Sequence, residues 1–390
     1  MRILQINNEF PPLGGGTATV NREFCAGLAG FHEVESELIT SSGSGKKTVE
    51  YWPNDRGSII KLPLNQACIH HASVIDLLKF SYSALRHMIL SKNSKAFDVA
   101  LAWSTLPSGL VAFLVSRLYG LPYVVRVSGP DIPGFERRYR YLYPFLKPII
   151  KTIWRSSSLI ICKCQEEAER VRQVFPRARI RVVPNGVDIA AYSPPAERPP
   201  SKPLVIVSAA RLVERKGQRH AIKALAALRG VGVDARLLLV GEGDSRGEYQ
   251  NLVSALGLSE HVEFAGAVAR EAMPEVYRKA DIFVLPSSAE SMSVACLEAL
   301  SCGLPLVVTS GGGSESFIEQ GANGFLIPDG NAEALTEALL VLARSAELRR
   351  AYGERSREIA LGFSWATTTR GIFEVLVEAC SANLPATGDF

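Results

Sequence analysis

Two glutamates with seven residues between them, Glu290 and Glu298, lie in "PSSAESMSVACLEALSCGLPLVV", where a strand-like run ends at Leu285, a polar turn follows and a helix begins near Ser293. The start of a helix leaves backbone N–H groups without intrahelical acceptors, so the turn offers a phosphate site. A carboxylate in such a turn can accept two hydroxyl hydrogen bonds from a sugar, and a second carboxylate further into the helix can grip a ribose diol. A lone glutamate there would read as a solvated or capping side chain; the pair, at this spacing, reads as two grips on one ligand. Upstream, "SAARLVERKG" carries Arg211 and Lys216 where the strand Leu204 to Ser208 runs out into a loop. A guanidinium takes a phosphate bidentately and an ammonium adds a point charge, which suits a diphosphate that gains negative charge as its bond to a sugar breaks. Two solvated surface cations are the competing reading. A third candidate is "EFPPLGGGTATV", in which Gly15 and Gly16 precede a helix starting near Thr17 and allow a phosphate or an acceptor to approach backbone N–H groups closely. It lacks the G-x-G-x-x-G spacing of a dinucleotide site and the Lys-Ser/Thr of a P-loop.

Positioning these groups requires strands that end at the loops just named. Short β-branched runs alternate with helix-length amphipathic segments, the pattern of doubly wound parallel α/β units with helices on both sheet faces. Strands are expected at Ile3 to Asn7, Glu37 to Thr40, Ile59 to Leu62, Val99 to Trp103, Tyr123 to Val127, Leu159 to Cys162 and Ile180 to Val183. The stretch "YSPPAERPPSKP" carries five prolines, cannot be an element interior and reads as a linker over 191–203. The alternation then restarts with Leu204 to Ser208, Leu237 to Val240, Val262 to Phe264, Ile282 to Leu285 and Leu306 to Val308. Two domains are expected, 1–190 and 204–363, with a last helix over 364–380 that returns to the first. Ligands of such sheets sit beyond the carboxyl ends of the strands, where all three candidate loops fall.

At 390 residues and 47% hydrophobic content the chain is long and apolar enough for two cores. Its net charge of +4 lends no support to nucleic-acid binding. Seven scattered cysteines read as reduced thiols of a cytoplasmic protein, and Cys162-Lys163-Cys164 lacks the second cysteine or histidine pair that a metal site needs. No apolar leader and no run of about 20 apolar residues is present, so neither secretion nor a membrane span is expected.

Taken together, the motifs resemble the retaining glycosyltransferases of glycosyltransferase family four (glycosyl transferases group 1) over nearly the whole chain. The resemblance is carried by the Glu290 to Glu298 element running into "LEALSCGLPLVV", by "ARLVERKG", and by "VVPNGVD", "LLLVGEGD", "VEFAGAV", "ADIFVLPSS", "GANGFLIP" and the final "FSW". It implies the GT-B architecture, two Rossmann-like domains facing a central cleft. It further implies sugar transfer with retention, without a metal or other cofactor, from a nucleotide-diphosphate sugar to a glycan or lipid-linked acceptor, as in surface polysaccharide, lipopolysaccharide or glycolipid assembly. Glu290 would hold the donor sugar, Arg211 and Lys216 the diphosphate, and Glu298 the ribose. Ser291, Met292, Ser293, Val294, Val268 and Asn185 would complete the donor pocket, and Gly15 and Gly16 the acceptor or phosphate side. The chain departs from the family where Ser291 follows the first glutamate, where Glu315 precedes Ser316, at Ser128 and at Phe31-His32-Glu33-Val34, which leaves the choice of donor open. Two alternatives share the fold: a nucleotide-sugar epimerase, and a non-catalytic partner subunit, against which the four intact charged residues count.

One stretch is not absorbed by this reading. "FERRYRYLYPFLKPIIKTIWRSSS" interleaves Arg137, Arg138, Arg140, Lys147, Lys151 and Arg155 with Tyr139, Tyr141, Tyr143, Phe145 and Trp154. It is either a helix lying on the anionic inner face of the plasma membrane or a half-buried domain helix with a solvated cationic face, broken at Pro144 and Pro148.

Overall fold

The computed structural model describes residues 1–52, 56–64, 73–91, 96–135, 140–197, 203–288 and 290–381. The chain forms two compact units, Met1–Pro184 with Trp365–Phe390, and Asn185–Ser364.

In the first unit β1 (Arg2–Ile6), β2 (Glu35–Ser41), β3 (Thr48–Tyr51), β4 (Gly57–Leu62), β5 (Val99–Ala102), β6 (Tyr123–Arg126), β7 (Leu159–Cys162) and β8 (Ile180–Val182) form one sheet in the order β3-β4-β2-β1-β5-β6-β7-β8. All pairings are parallel except β3 on β4. The central strands are buried on both faces, as helix-covered parallel strands must be. β3 was not expected: "TVEY" is exposed throughout and pairs antiparallel at the sheet edge, so it carries no hydrophobic signature. Helices α1 (Gly16–Gly27), α2 (Val74–Leu90), α3 (Leu110–Tyr119), α4 (Tyr143–Ser156) and α5 (Gln165–Val174) make the crossovers. α4 is a single helix and is not broken at its prolines: Pro144 sits in the first turn, where its missing N–H costs nothing, and Pro148 is accommodated inside. Arg137, Arg138 and Tyr139 lie outside the described residues.

The second unit holds β9 (Leu204–Ala209), β10 (Ala235–Val240), β11 (Val262–Gly266), β12 (Ile282–Leu285), β13 (Leu306–Thr309) and β14 (Gly324–Ile327) in the parallel order β11-β10-β9-β12-β13-β14. Its helices are α6 (Gln218–Gly230), α7 (Arg246–Ala255), α8 (Met273–Arg278), α9 (Val294–Ser301), α10 (Ala332–Arg344) and α11 (Ala346–Ala360). The units divide at Pro184, not at 190, because Val187 bridges to Ser364 and Tyr192 is buried in the second core beside Tyr277 and Met292. Of the proline-rich linker, residues 198–202 lie outside the described part. The last helix, α12 (Trp365–Ser381), packs on α1 and on β5 to β7 of the first unit.

Both sheets reverse their winding once. In the first, successive strands leave β1 toward β2 on one side and resume at β5 on the other; in the second, β9 is flanked by β10 and β12. At such a switch point the two loops at the carboxyl ends diverge and open a crevice. The candidate residues cluster at these two places.

Candidate active site

In the second unit the switch point brings the loop after β9 against the loop after β12. Gly217, at φ +72°, ends the turn that carries Lys216, and a Cβ there would stand 1.8 Å from the Pro286 carbonyl oxygen. The two loops are therefore in backbone contact, held further by Ser288 N–H and the Ser287 hydroxyl, both donating to the Arg215 carbonyl at 2.8 Å. This contact closes an ion pair across 74 positions of sequence: Lys216 Nζ donates to Glu290 Oε1. The same carboxylate oxygen accepts from the Ser287 hydroxyl at 3.2 Å and lies 3.6 Å from the Arg215 guanidinium. Arg215 and Ser287 were not singled out in the sequence, although Arg215 is the neighbour of Lys216. Arg211 leaves the end of β9, and its carbonyl accepts from Gln218 Nε2 at 2.9 Å.

The turn between Glu290 and α9 is fixed by its backbone. Gly312, at φ +67°, approaches so closely that a Cβ would lie 1.9 Å from the Glu290 carbonyl oxygen. Met292 N–H donates to the Gly312 carbonyl at 2.8 Å, and the Met292 carbonyl accepts from Asn185 Nδ2 at 2.8 Å. Met292 is the single non-glycine residue at positive φ (+32°) among the described residues, and its side chain is buried. Its N–H is thus already used, and the donors left for an anion lie at Ser293, the N-cap, and in the first turn of α9, which starts at Val294. Ser291 sits in the same turn, partly exposed. Val268, beyond β11, packs half-buried against the core that contains Tyr277 and Met292. Glu315 folds back to accept Gly311 N–H at 2.6 Å and so braces the glycine turn.

Glu298 has a different partner from Glu290. It sits in α9, and its Oε2 accepts the phenolic O–H of Tyr277, from α8, at 3.0 Å. Burial pushes the Glu298 carboxyl up to about 7, against the hydrogen bonds of Tyr277 and Tyr192 and the charge of Arg270, which pull it down. A carboxyl whose pKa is raised on folding binds its proton more tightly in the folded state. The stability tied to it is complete below the ordinary value of 4.5 and is lost as pH rises toward about 7. Glu298→Gln, which keeps the shape and cannot ionise, is therefore expected to gain stability over the parent between pH 5 and 8; urea unfolding at both pH values measures it, and an unchanged difference removes the shifted carboxyl.

The glycine turn of the first unit lies at its own switch point. Gly15 is the N-cap of α1 with no side-chain cap, and a Cβ at Gly15 or Gly16 would meet nothing within 4 Å, so the helix start faces open space. Beneath it runs a buried amide network: Asn21 Nδ2 donates to Gln5 Oε1 at 2.7 Å, Asn7 Nδ2 to Asn21 Oδ1 at 3.1 Å, and Trp103 Nε1 to Gln5 Oε1 at 3.0 Å. Ser128, at the end of β6, donates N–H and O–H to buried Asp131, which also accepts the N–H groups of Thr105 and Leu106. Lys163 forms a buried ion pair with Glu167 at 2.7 Å, while burial raises the flanking Cys162 and Cys164 thiols, the latter to about 11. Among the described residues no three of His, Cys, Asp and Glu come together as metal ligands would.

With this geometry in view, the comparisons with known proteins agree on one family. The profile described as Glycosyltransferase Family 4 matches residues 14–191, and that described as Glycosyl transferases group 1 matches residues 193–359. A GDP-mannose-dependent alpha-(1-6)-phosphatidylinositol monomannoside mannosyltransferase of Mycolicibacterium smegmatis is 25% identical over 95% of this chain and 96% of its own length. The lipopolysaccharide core biosynthesis glycosyltransferase LpsE of Rhizobium meliloti is 30% identical over 72% of this chain and 75% of its own. Among solved structures, sucrose-phosphate synthase from Thermosynechococcus elongatus superimposes with a TM-score of 0.86 at 19% identity, over 98% of this chain and all of that one, which shows the shared GT-B fold. The chain belongs to the group 1 glycosyltransferases, of the family four type.

Proposed function

We propose that the protein transfers a sugar, with retention and without a metal, from a nucleotide-diphosphate sugar to a glycan or lipid-linked acceptor in surface polysaccharide or glycolipid assembly. The observation that carries this reading is the convergence of Lys216 and Arg215 on Glu290 just before the start of α9 at one switch point, with Arg211 in the same loop after β9. Permanent cations and helix-terminal N–H groups are fixed there before any ligand arrives, and fixed dipoles stabilise developing charge without reorganising. The relatives are consistent with it, one being GDP-mannose-dependent and another acting in lipopolysaccharide core biosynthesis.

In this mechanism the diphosphate takes Lys216 as its partner, together with Arg211 and the N–H groups of Ser293 and Val294. Glu290, released from Lys216, accepts hydroxyls of the donor sugar, and Glu298, oriented by Tyr277, accepts the ribose diol. Ser291, Met292, Val268 and Asn185 shape the pocket wall, Asn185 by holding the Met292 carbonyl. The bond from the anomeric carbon to the phosphate oxygen breaks through an oxocarbenium-like state. The acceptor hydroxyl attacks from the same face and passes its proton to the departing phosphate oxygen. Arg211 and Lys216 neutralise the diphosphate as its charge grows, the service a metal ion gives in other transferases. Gly15 and Gly16 offer the α1 N–H groups to the acceptor or to a phosphate it carries.

Calorimetric titration with UDP, GDP and ADP tests the donor site. One of them is expected to bind the parent, and Arg211→Ala to weaken it by about ten- to a hundredfold, the loss of a charge-assisted phosphate contact. No binding by any of the three overturns the proposal. The anomeric configuration of the product, read by NMR, decides retention, and activity in EDTA decides metal independence. Since Glu298 must be ionised to accept the ribose hydroxyls, the donor KM is expected to fall as pH rises through about 7 and to lose this dependence in Glu298→Gln.

A further inference from the structure

A cavity of about 400 Å³, a size that suits a small organic ligand, lies in the second unit at a distance from the donor loops. Asp281, which precedes β12, and Gly303, which precedes β13, place it at the amino ends of those strands. Lys216 and Glu290 stand at the carboxyl ends, a strand length of about 13 Å away. One wall is the face of α11 on which Arg349, Arg350, Gly353 and Arg357 follow at helical spacing. Another is the apolar run Pro194-Pro195-Ala196. Two glycines keep the space between them open. Gly353 is buried inside α11, where glycine is unfavourable relative to alanine. Gly303 has φ +70°, and a Cβ there would lie 3.1 Å from Pro194 Cγ and 3.3 Å from the Gly353 carbonyl oxygen.

The cavity is distinguished by its positive charge. Arg355, on the same helix but not lining the cavity, is paired with Glu319 at 2.6 Å and Glu358 at 2.8 Å. Among the described residues, by contrast, Arg349, Arg350 and Arg357 form no salt bridge. Arg357 donates to the carbonyls of Ile189, Tyr192 and Ser301, each at 2.9 Å. Arg349 Nη1 donates to those of Leu342 at 2.7 Å and Ala343 at 3.1 Å. Neutral oxygens thus fix both guanidiniums without cancelling their charge. Arg349 keeps its Nε–Nη2 edge, which can take two oxygens of an oxyanion side by side. Of the nearby acids, Asp281 is committed to Val205 N–H at 2.7 Å and Glu347 accepts the Ser345 hydroxyl at 3.1 Å, while Glu354 is exposed.

We propose that this cavity binds a small phosphate monoester with an organic body of sugar size, and does so while a nucleotide occupies the donor loops. A phosphate has oxygens enough to engage the forks of Arg349 and Arg350 together, whereas a carboxylate is filled by one fork. Pro194, Pro195 and Ala196 receive the apolar side of the organic body. A bare inorganic ion would leave most of the cavity empty. Simultaneous occupancy rests on the reading of the donor site given above; binding in the cavity does not.

Calorimetric titration of the whole protein with ribose 5-phosphate, inorganic phosphate and ribose tests it. Ribose 5-phosphate is expected to bind more tightly than inorganic phosphate, and ribose not to bind. Arg350→Ala, at an exposed position, and Arg349→Ala are each expected to weaken the sugar phosphate by about tenfold, the loss of one charge-assisted contact. Lys216→Ala is expected to leave its affinity unchanged. Far-ultraviolet circular dichroism reports that the variants are folded. The proposal is overturned if ribose 5-phosphate does not bind, if inorganic phosphate binds equally well, or if folded Arg350→Ala and Arg349→Ala keep the parental affinity. It falls too if UDP, GDP or ADP displaces the sugar phosphate or Lys216→Ala abolishes its binding, since the phosphate then occupies the donor loops. Sugar-phosphate binding that survives where no nucleotide binds removes simultaneous occupancy and the donor-site reading, and leaves the cavity as a binding site.

Discussion

Lys216→Ala is expected to lower kcat by about 10²–10³, the range measured for removing one pre-positioned donor from a developing negative charge, and to weaken donor binding by about tenfold. The cause is twofold. Lys216 supplies the ammonium at the end of β9, and it is the hydrogen-bond partner of Glu290. Without it Glu290 keeps the Ser287 hydroxyl at 3.2 Å and Arg215 at 3.6 Å, so the carboxylate is not stranded and the fold should survive. Glu290→Gln keeps the volume and one acceptor oxygen but removes the charge that orders Lys216 and grips the donor hydroxyls, and a similar fall in kcat is expected. Because the two side chains act on one another, the double variant should lose much less than the product of the single losses. Steady-state rates for the four forms decide the matter. A Glu290→Gln enzyme with parental kcat, or strictly multiplicative losses, would remove the pair from the chemistry.

The second large effect is on the backbone beneath that pair. Gly217→Ala and Gly312→Ala each place a Cβ within 2 Å of a carbonyl oxygen, that of Pro286 in one case and of Glu290 in the other, at φ values of +72° and +67°. The left-handed conformation alone costs about 1–2 kcal/mol for a residue with a side chain. Here a clash with backbone is added, and backbone cannot rotate away, so a destabilisation of about 3–5 kcal/mol is expected. Gly257→Ala is the control: its φ is +66° and a Cβ there meets nothing within 4 Å, so it should show the conformational cost alone. Urea midpoints of the three variants separate the two contributions. If Gly217→Ala is no worse than Gly257→Ala, the two loops are not in contact. Activity of the Gly217 and Gly312 variants should fall further than stability does, since catalytic geometry tolerates shifts of about 1 Å poorly.

The two glutamates show how far a spacing argument reaches. Seven intervening residues suggest a common target, and residue type suggests hydroxyl recognition. Glu290, however, is governed by a turn braced from Gly312, whereas Glu298 is governed by helix α9 and the Tyr277 hydroxyl. The raised Glu298 carboxyl therefore has no counterpart in the sequence: it arises from burial, which outweighs the opposing hydrogen bonds of Tyr277 and Tyr192, 21 and 106 positions away.

Much of the architecture is local and hence readable. The β-branched runs from Ile3, Val99, Tyr123, Leu159, Leu204, Ile282 and Leu306 are buried on both faces, and such strands announce themselves without knowledge of their neighbours. β3 and β14 escape the same reading, the first because it is fully exposed and the second because it is a short edge strand opening with Gly324. α10 and α11 follow the ordinary amphipathic rule, with Leu335, Leu339 and Leu342 buried on the first and Tyr352 and Ala360 on the second. The residue types at the strand ends, Arg211, Lys216, Glu290 and the glycines before α1, were determined by the sequence alone and named the chemistry. That Lys216 meets Glu290 and that Met292 surrenders its N–H to Gly312 were decided by the tertiary structure, because strand order is not encoded in any local period. β9 lies beside β12 only once both have packed into one sheet, and that pairing brings together Lys216 and Glu290, 74 positions apart in the chain.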